Sequence, residues 1–382
     1  MSERRLTTPS PMPSPTPPAM QPQTCRAAVF HQAGQPLSME AFPRPSLLAG
    51  EALVRIRLCT ICGSDLHTLK GLRIEPTPSI LAHEVVGEIV ELADLGPTDV
   101  EEQPLGIGDR VTWSVCVSCF ECDRCRSGMP QKCRRLVKYG HSVAAGREAL
   151  SGGLAEYILL RRGTTIARLP AELPDEVASP INCATSTVAA AYRMAGNVSD
   201  QRILVFGAGM LGLTAVALGK ESGAKQVTIC DVDPQRLELA KQFGATDVFS
   251  VDSIGSTQVP FDVILECSGS PDAIETACRV GDIGARVILV GSVMESRPVQ
   301  LDPTSIVRKW MSIVGVHNYA PVDLRSAIDF ISRCHHKYPF AELVARTFDL
   351  TETNAAIEYS IEHRPIRVAV RPATVRPRPE TP

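Results

Sequence analysis

The feature that most limits the possible folds is an alternation of apolar runs and helical stretches that begins near residue 201. The apolar runs are 203–206, 226–230, 261–266, 285–291 and 311–316, and the helical stretches between them include 211–222, 234–243 and 271–280. Strands that are rich in Val, Ile and Leu along their whole length are buried on both faces, and strands joined through helices run parallel. The sequence therefore predicts a doubly wound parallel sheet of the Rossmann type over residues 181–320.

A different pattern covers residues 25–180, where short strand-like runs are broken by glycine and proline. Examples are 26–30, 52–58, 84–92 and 155–160. Such spacing predicts a β-rich domain. A later mixed segment, 321–371, is predicted to return to that domain, which would make the Rossmann domain an insertion.

Both ends of the chain have the composition of disordered segments. Residues 1–24 and 372–382 are rich in proline and polar residues and have almost no large apolar side chains. Such segments bury too little apolar surface to offset the entropy lost on ordering. We predict a disordered tail at each end.

Composition excludes several classes of partner. The net charge is only -3 over 382 residues, so no bulk field favours nucleic acid or an anionic membrane. No apolar run approaches the ~20 residues that span a bilayer, and the first residues lack an export signal. We expect a cytoplasmic protein with a small-molecule partner. In that reducing compartment, the thirteen cysteines are better candidates for metal binding than for disulfides.

A glycine-rich turn, Gly207-Ala-Gly209-Met-Leu-Gly212, directly follows the first apolar run of the predicted sheet. The free N–H groups at the start of the next helix favour a phosphate there. Asp231 ends the following strand and can bind a ribose diol, which favours NAD over NADP, whereas Arg236 weakens that preference. A ligand-free turn and a turn that binds S-adenosylmethionine are the alternatives. The candidate cofactor residues of this region are Gly207, Gly209, Met210, Leu211, Gly212, Asp231 and Arg236.

Five of the cysteines fall within a short segment, 116–134. Four of them have the spacing C-x2-C-x2-C-x7-C, which is unlikely to arise by chance at this cysteine content. Four thiolates in one compact loop fit a closed, structural zinc site, with an iron–sulfur cluster or unbound thiols as alternatives. The predicted ligands are Cys119, Cys122, Cys125 and Cys133, and Cys116 is the residue most easily mistaken for one of them.

A second group of metal-binding residue types is dispersed along the chain. Cys62, Ser64 and His67 lie within one hexapeptide, His83 precedes a predicted strand, and Cys183 lies near the start of the Rossmann domain. Two sulfurs and one imidazole would leave a fourth coordination position open, as a catalytic zinc requires. Each residue alone is more often a buried structural residue.

With these motifs the chain from about 25 to 370 resembles the zinc-dependent medium-chain alcohol dehydrogenases. The resemblance rests on CGSDLH, the His-Glu pair 21 residues after Cys62, the cysteine lobe, GGLAEY, C-x-x-S-T and GAGMLG. It implies a GroES-like catalytic domain built from both chain ends around the Rossmann domain. A zinc and a nicotinamide would lie in the cleft between them.

Carried over by position, the resemblance assigns Cys62, His83 and Cys183 as ligands of the catalytic zinc. It assigns Glu84 as a carboxylate that orients or transiently binds the metal. Ser64 and His67 would form the proton relay, and Arg367 would bind the pyrophosphate. The usual glycine before the His-Glu pair is Ala82 here, so the turn is expected to differ. Relatives of this kind are commonly homodimers or homotetramers joined at a sheet edge, for which 285–291 and 311–316 are candidates.

The segments around 130–141, 151–170, 182–193 and 316–324 resemble a narrower branch associated with phosphonate metabolism. A phosphonate would need cationic partners. The candidates in the catalytic half are Lys138, His141, Arg147, Arg161 and Arg162. Alternatives are a dehydrogenase of a polyol or another secondary alcohol, a zinc-free reductase and a non-catalytic nucleotide-binding scaffold.

Overall fold

A computed structural model describes residues 24–255, 257 and 259–373. Of the predicted N-terminal tail, residues 1–23 lie outside the described residues, but Thr24 begins the first strand, so the prediction was wrong at that position. Of the C-terminal tail, 374–382 likewise lie outside the described residues.

The N-terminal part forms two antiparallel sheets. Its strands are β1 (Thr24–Phe30), β2 (Ser38–Pro43), β3 (Ala52–Thr60), β4 (Ser79–Ile80), β5 (Glu84–Leu92), β6 (Arg110–Val117), β7 (Val137–Lys138), β8 (Tyr157–Leu160) and β9 (Thr164–Arg168). Its helices are α1 (Gly63–Leu69), α2 (Asp123–Arg126) and α3 (Asp175–Ala178). A three-stranded sheet has the order β2-β1-β4, and β3, β5 and β6 form the centre of a larger one, with β8 beside β3 and β9 beside β6.

The following part is the predicted Rossmann domain. Its elements are α4 (Ala184–Ala195), β10 (Arg202–Phe206), α5 (Met210–Glu221), β11 (Gln226–Asp231), α6 (Pro234–Gln242), β12 (Asp247–Ser250), α7 (Val251–Ile254), β13 (Phe261–Glu266), α8 (Pro271–Val280), β14 (Gly281–Leu289), α9 (Pro303–Arg308) and β15 (Ser312–Gly315). The strands run parallel in the order β12-β11-β10-β13-β14-β15. The order reverses between β10 and β13, and a crevice opens at the carboxyl ends of the strands at such a reversal. The predicted doubly wound sheet is confirmed.

The last part of the chain comprises α10 (Pro321–Cys334), β16 (Val344–Asp349), α11 (Thr353–His363) and β17 (Arg367–Arg371). β17 pairs with β3 and extends the large N-terminal sheet, with β16 outside it. α10 instead packs chiefly on α4, and its apolar residues join the core beneath the Rossmann sheet. The return predicted at residue 321 therefore begins only near Val344, because the amphipathic α10 buries its apolar face against α4.

Short 3-10 turns connect these elements at Pro130–Lys132, Gly146–Glu148, Ser179–Asn182, Phe340–Leu343 and Leu350–Glu352. Of the two predicted edge segments, β14 lies inside the sheet between β13 and β15, so only β15 is an edge. None of the helices in the described ranges is long and apolar enough to cross a membrane.

Candidate active site

Three predicted metal ligands from distant parts of the chain meet between the two domains. Cys62 lies just after β3, and His83 lies just before β5. These two strands pair antiparallel with Thr60 opposite Glu84, so the end of one lies beside the start of the other. Cys183 directly precedes α4. The ligand atoms all lie within 4.8 Å of one another, and His83 Nε2 is 3.2 Å from Cys183 Sγ.

This cluster has the composition and spacing that zinc requires. Ligand atoms at the corners of a tetrahedron around zinc lie about 3.8 Å apart, given Zn–S bonds of about 2.3 Å. Contact with Cys183 lowers the pKa of the Cys62 thiol well below its usual range, and the charges of Arg367 and His83 act in the same direction. The thiolate is the form that binds a metal. Three protein ligands leave one coordination position open.

The turn before His83 explains how the chain tolerates Ala82 where glycine was expected. Ala82 has a φ of 67°, in the left-handed region that favours glycine. Its N–H donates to Asp65 Oδ1 at 3.1 Å, and its carbonyl accepts from the N–H of Gly153 at 2.7 Å. A Cβ at Gly140 would lie 2.8 Å from that same carbonyl oxygen. Close contacts thus hold the strained residue in place.

Asp65 connects two of the metal-binding residues, a role that the sequence analysis missed. Its Oδ2 accepts from the N–H of Cys62 at 2.8 Å, and its Oδ1 lies 3.8 Å from His83 Nδ1. Burial raises the pKa of this carboxyl to about 6. The signal was available, since an acidic residue three positions after the residue that caps a helix is typical of a capping box.

Glu84 and Arg367 form a buried ion pair behind the cluster. The guanidinium of Arg367 donates to both carboxylate oxygens at 2.7 Å, and Thr60 Oγ1 donates to the same carboxylate at 2.6 Å. Arg367 Nη2 also lies 3.7 Å from Cys62 Sγ. The arginine that was predicted to bind pyrophosphate therefore already has a carboxylate partner.

Ser64 and His67 lie three positions apart on α1, so they share one face of the helix. Both line a cavity of about 290 Å³ that also contains the three metal-binding residues. Ser64 Oγ and His67 Nδ1 are buried and have no hydrogen-bond partner within the described part of the chain. Buried polar atoms are normally satisfied, so these two point to a bound ligand. Burial lowers the pKa of His67.

The glycine-rich turn faces the same cavity. Gly207 has a φ of 94°, and a Cβ at Gly212 would lie 1.7 Å from the Gly207 carbonyl oxygen, so both positions require glycine. A Cβ at Gly209 would meet nothing within 4 Å, which leaves open space in front of the α5 N-terminus. Gly209, Met210 and Leu211 line the cavity. A dinucleotide phosphate fits an exposed helix N-terminus of this kind.

Asp231 and Arg236 lie beyond the turn. Asp231 Oδ2 accepts from the N–H of Ala208 at 2.5 Å, and its Oδ1 accepts from the N–H of Asp233 at 2.8 Å. The carboxylate therefore fixes the glycine-rich turn. Arg236 lines a second cavity of about 330 Å³, together with Arg367.

The cysteine lobe forms a second compact cluster. Its four sulfur atoms lie within 4.8 Å of one another, with neighbouring pairs at 3.4 to 3.9 Å. Such distances suit tetrahedral zinc. The members are Cys119, Cys122, Cys125 and Cys133. Cys116 lies outside the cluster on β6, where burial raises the pKa of its thiol to about 11.

The predicted cationic residues separate into two groups. Lys138 and His141 line the cavity of the metal-binding residues. The others lie elsewhere: Arg147 pairs with Glu51, Arg161 pairs with Glu148, and Arg162 is exposed. The cavity also receives Arg73 and His317. Sequence reasoning missed Arg73 because it belongs to no motif, and it noted the segment 316–324 without assigning His317 to the site.

Known proteins share this architecture. Residues 48–171 match the alcohol dehydrogenase GroES-like domain family, and residues 211–333 match the zinc-binding dehydrogenase family. An L-threonine 3-dehydrogenase of Burkholderia cenocepacia (strain HI2424) is 32% identical over 301 residues, which are 75% of this chain and 82% of that relative.

Solved structures agree with this assignment. An alcohol dehydrogenase from Thermotoga maritima has the same fold, with a TM-score of 0.85 at 24% identity, covering 91% of this chain and 99% of that one. The alcohol dehydrogenase TADH from Thermus sp. ATN1 has a TM-score of 0.79 at 26% identity, covering 92% of this chain and 100% of that one. The chain therefore belongs to the zinc-dependent medium-chain alcohol dehydrogenase superfamily and is a zinc-dependent oxidoreductase that acts on alcohols with a nicotinamide cofactor.

Proposed function

We propose that Cys62, His83 and Cys183 hold the catalytic zinc and that hydride exchange with the nicotinamide takes place in the adjoining cavity. The observation that carries this proposal is the meeting of the two sulfurs and the imidazole within 4.8 Å, in a cavity shared with the glycine-rich turn. A scaffold or a zinc-free reductase would have no need of this ligand set.

The residues around the cluster supply the proton chemistry. Zinc, when bound, acts as a Lewis acid on the substrate oxygen, and the nicotinamide accepts or donates the hydride. Ser64 Oγ takes the hydroxyl proton of the alcohol as it releases its own, which His67 passes on towards water. A neutral imidazole suits that role because it can accept a proton near neutral pH.

Buried carboxylates position the ligands. Glu84 lies behind the cluster and balances the charge of Arg367. Asp65 accepts from the N–H of Cys62 at the start of α1, and its other oxygen lies 3.8 Å from the His83 ring. Groups that orient metal ligands in this way tune the affinity for the metal.

We further propose a second, structural zinc in the cysteine lobe, so that one chain holds two. Four sulfurs leave no open position for a substrate. The lobe also supplies backbone donors to its sulfurs, for example from Arg134 to Cys122 at 3.4 Å and from Arg135 to Cys133 at 3.3 Å. Such N–H donors favour thiolates over thiols.

NAD is the proposed cofactor in preference to NADP. Gly207, Gly209, Met210, Leu211 and Gly212 would bind its phosphates, and the adenosine ribose would lie near the end of β11. There the carboxylate of Asp231 would repel a 2′-phosphate. Arg236 lines the cavity on the far side of the turn and would balance pyrophosphate charge. Arg367 lines the same cavity and would donate a hydrogen bond to a phosphate, while Glu84 balances its charge.

A hydroxyalkylphosphonate, with its phosphonoaldehyde product, is the proposed substrate. Its support is the resemblance to the phosphonate-associated branch together with Lys138 in the cavity wall. A secondary alcohol is the second candidate, since the similar Burkholderia protein is an L-threonine 3-dehydrogenase.

We also propose that the protein forms a homodimer or a homotetramer, joined at the edge of the Rossmann sheet. β15 ends the sheet, and large apolar side chains nearby are exposed, among them Trp310 at 86% and Val307 at 78%. An unpaired strand beside an apolar patch is suited to pairing with a second copy.

A substrate panel combined with metal analysis tests the central proposal. The purified chain should contain about two zinc ions and should reduce NAD in the presence of an alcohol. Cys183→Ser should lose one zinc and the activity together, while Cys278→Ser, a buried cysteine on α8 outside both clusters, should keep both. Full activity in Cys183→Ser would contradict the assigned ligand set.

A further inference from the structure

One wall of the active-site cavity carries more positive charge than the metal chemistry explains. Among the described residues that line the cavity, the full cations are Arg73, Lys138 and Arg367, and none carries a carboxylate. Arg367 is already paired with the buried Glu84. Lys138 therefore leaves this wall electropositive, and Arg73 adds guanidinium donors although Glu75, outside the cavity, balances part of its charge.

An ion pair with Glu75, which lies outside the cavity, positions Arg73. Its Nε lies 2.5 Å from Glu75 Oε1, and the same carboxylate meets His141 Nδ1 at 2.9 Å. Glu75 is 8% exposed and does not line the cavity, whereas Arg73 and His141 do. One carboxylate thus fixes two cavity residues and leaves the terminal guanidinium nitrogens of Arg73 without a protein partner in the described ranges.

Lys138 is the second cation. It ends the short strand β7, and its Nζ makes no hydrogen bond or ion pair with any described residue. Burial and the nearby charge of Arg73 lower the pKa of this lysine. A partly desolvated ammonium group without a partner is costly, and an anion is the ligand that removes the cost.

The neutral ring of His317 completes the wall, whereas neutral His141 gives its ring proton to Glu75. Burial lowers the pKa of both His141 and His317 to about 4, so both rings are neutral near pH 7. Lys132 Nζ donates to His317 Nδ1 at 2.9 Å, which leaves the ring proton on Nε2. A cavity residue with a free N–H can hydrogen-bond an anionic oxygen without adding charge.

We propose that this wall binds an anionic group of the alcohol substrate, a carboxylate or a phosphono group, through Arg73 and Lys138, with Glu75 as a positioning residue. The inference rests on the proposed function, because it places the reacting hydroxyl at the metal cluster of the same cavity. The anion takes no part in the reaction: one C–H bond gives its hydride to the nicotinamide, and the hydroxyl gives its proton to Ser64. The charge–charge contacts select the substrate and fix its orientation.

Three alcohols of similar length test the selectivity: 2-hydroxyethylphosphonate, 3-hydroxypropanoate and 1-propanol, at one ionic strength. The wild-type enzyme should prefer at least one of the anions in kcat/KM. In Lys138→Met and in Arg73→Met that preference should fall about 10- to 100-fold, mainly through KM, as expected for a lost contact to a charged group. Any general effect of a substitution also appears in the turnover of 1-propanol and cancels in the ratio of each anion to 1-propanol. The two anions distinguish a phosphono site from a carboxylate site.

Arg162→Met is the matched control, since that arginine is exposed and outside the cavity. It removes the same charge and should leave every ratio as in the wild type. A wild-type enzyme that oxidises 1-propanol with no preference for either anion would overturn the proposed subsite but not the dehydrogenase. Absence of both zinc and alcohol oxidation would instead overturn the proposed function.

An inhibition assay, run first on the unaltered enzyme and then on the variants, gives a second readout. Ethylphosphonate or propanoate, which lack the hydroxyl group, should inhibit 1-propanol oxidation competitively. The inhibition should weaken in Lys138→Met. Equal inhibition in the double variant Arg73→Met/Lys138→Met would place the anion on the metal and contradict the subsite.

Discussion

Arg367 and Glu84 form a two-point ion pair inside the protein, and the same guanidinium lies 3.7 Å from the sulfur of Cys62. Glu84 begins β5, and Arg367 begins β17, near the opposite end of the chain. The pair therefore links β17, the last strand along the chain, to the metal-binding residues. Its two partners depend on each other, because both side chains are buried and Glu84 has no exposed surface.

Arg367→Met should destabilise the protein strongly. The change leaves the Glu84 carboxylate buried without a cation, which costs about 3–5 kcal/mol. Urea denaturation followed by circular dichroism measures the loss. Lys241→Met is the control. It removes an exposed ion pair with Glu238 on α6 and should hardly change the free energy of unfolding. Equal midpoints for the two variants would show that the buried pair does not stabilise the fold.

Ser64→Ala should lower kcat by ~10² or more while zinc stays bound, because it removes a positioned proton acceptor without touching a ligand. Steady-state kinetics and metal analysis on the same sample check this. Ser326→Ala, on the exposed face of α10, should behave as the wild type. Near-normal turnover in Ser64→Ala would exclude it from the proton relay.

The pH dependence of kcat should follow His67. Burial lowers the pKa of this imidazole below its ordinary value of 6.5, so the ring stays neutral, and able to accept a proton, to a lower pH than a free histidine. Activity should fall as the pH drops through that lowered pKa. The stability contributed by the neutral ring should likewise be present above the unfolded pKa and lost on acidification. His67→Asn should abolish the acidic limb, and the exposed-residue control His363→Asn should retain it.

Removal of one lobe cysteine should remove one zinc. Cys125→Ser should reduce the metal content from about two to about one per chain and lower the melting temperature, since structural zinc contributes folding free energy. Cys116→Ser should keep both ions, because that thiol lies outside the cluster. Loss of a zinc in Cys116→Ser would contradict the assigned ligands.

Cofactor preference should respond to Asp231. In Asp231→Ser, the ratio of kcat/KM with NADP to that with NAD should rise about 10-fold or more, because the repelling carboxylate and a ribose acceptor are both lost. The same carboxylate also holds the glycine-rich turn through Ala208, so the substitution could lower activity with both cofactors. Such a loss cancels in the ratio. Glu238→Gln is the exposed control. An unchanged ratio would show that Asp231 does not determine the preference for NAD over NADP.

Much of this arrangement could be predicted from the sequence because its determinants are local. The alternation of apolar runs and helical stretches predicted the parallel sheet, and fixed cysteine spacing predicted the lobe. The meeting of Cys62 with His83 follows from two strands that pair antiparallel. The resemblance to a known family supplied Cys183, which no local pattern could have joined to them.

The residues that escaped prediction depend on contacts between distant segments. Arg73 and Glu75 lie in a loop without a recognisable motif, and they gain importance only because β7 brings His141 and Lys138 beside them. His317 reaches the cavity from the other domain. The ion pair of Arg367 with Glu84 was not foreseen either, because the two residues are 283 positions apart in sequence and only the assembled sheet brings them together.

The close approach of Gly140 to the Ala82 carbonyl oxygen limits how this enzyme could acquire a new substrate range. Gly140 lies between Lys138 and His141, and it touches the residue that precedes His83. A loop transplanted from a relative with any side chain at that position would push on the backbone of a metal ligand. Divergence of specificity should therefore proceed by point changes on this loop, with the glycine retained, rather than by exchange of the whole segment.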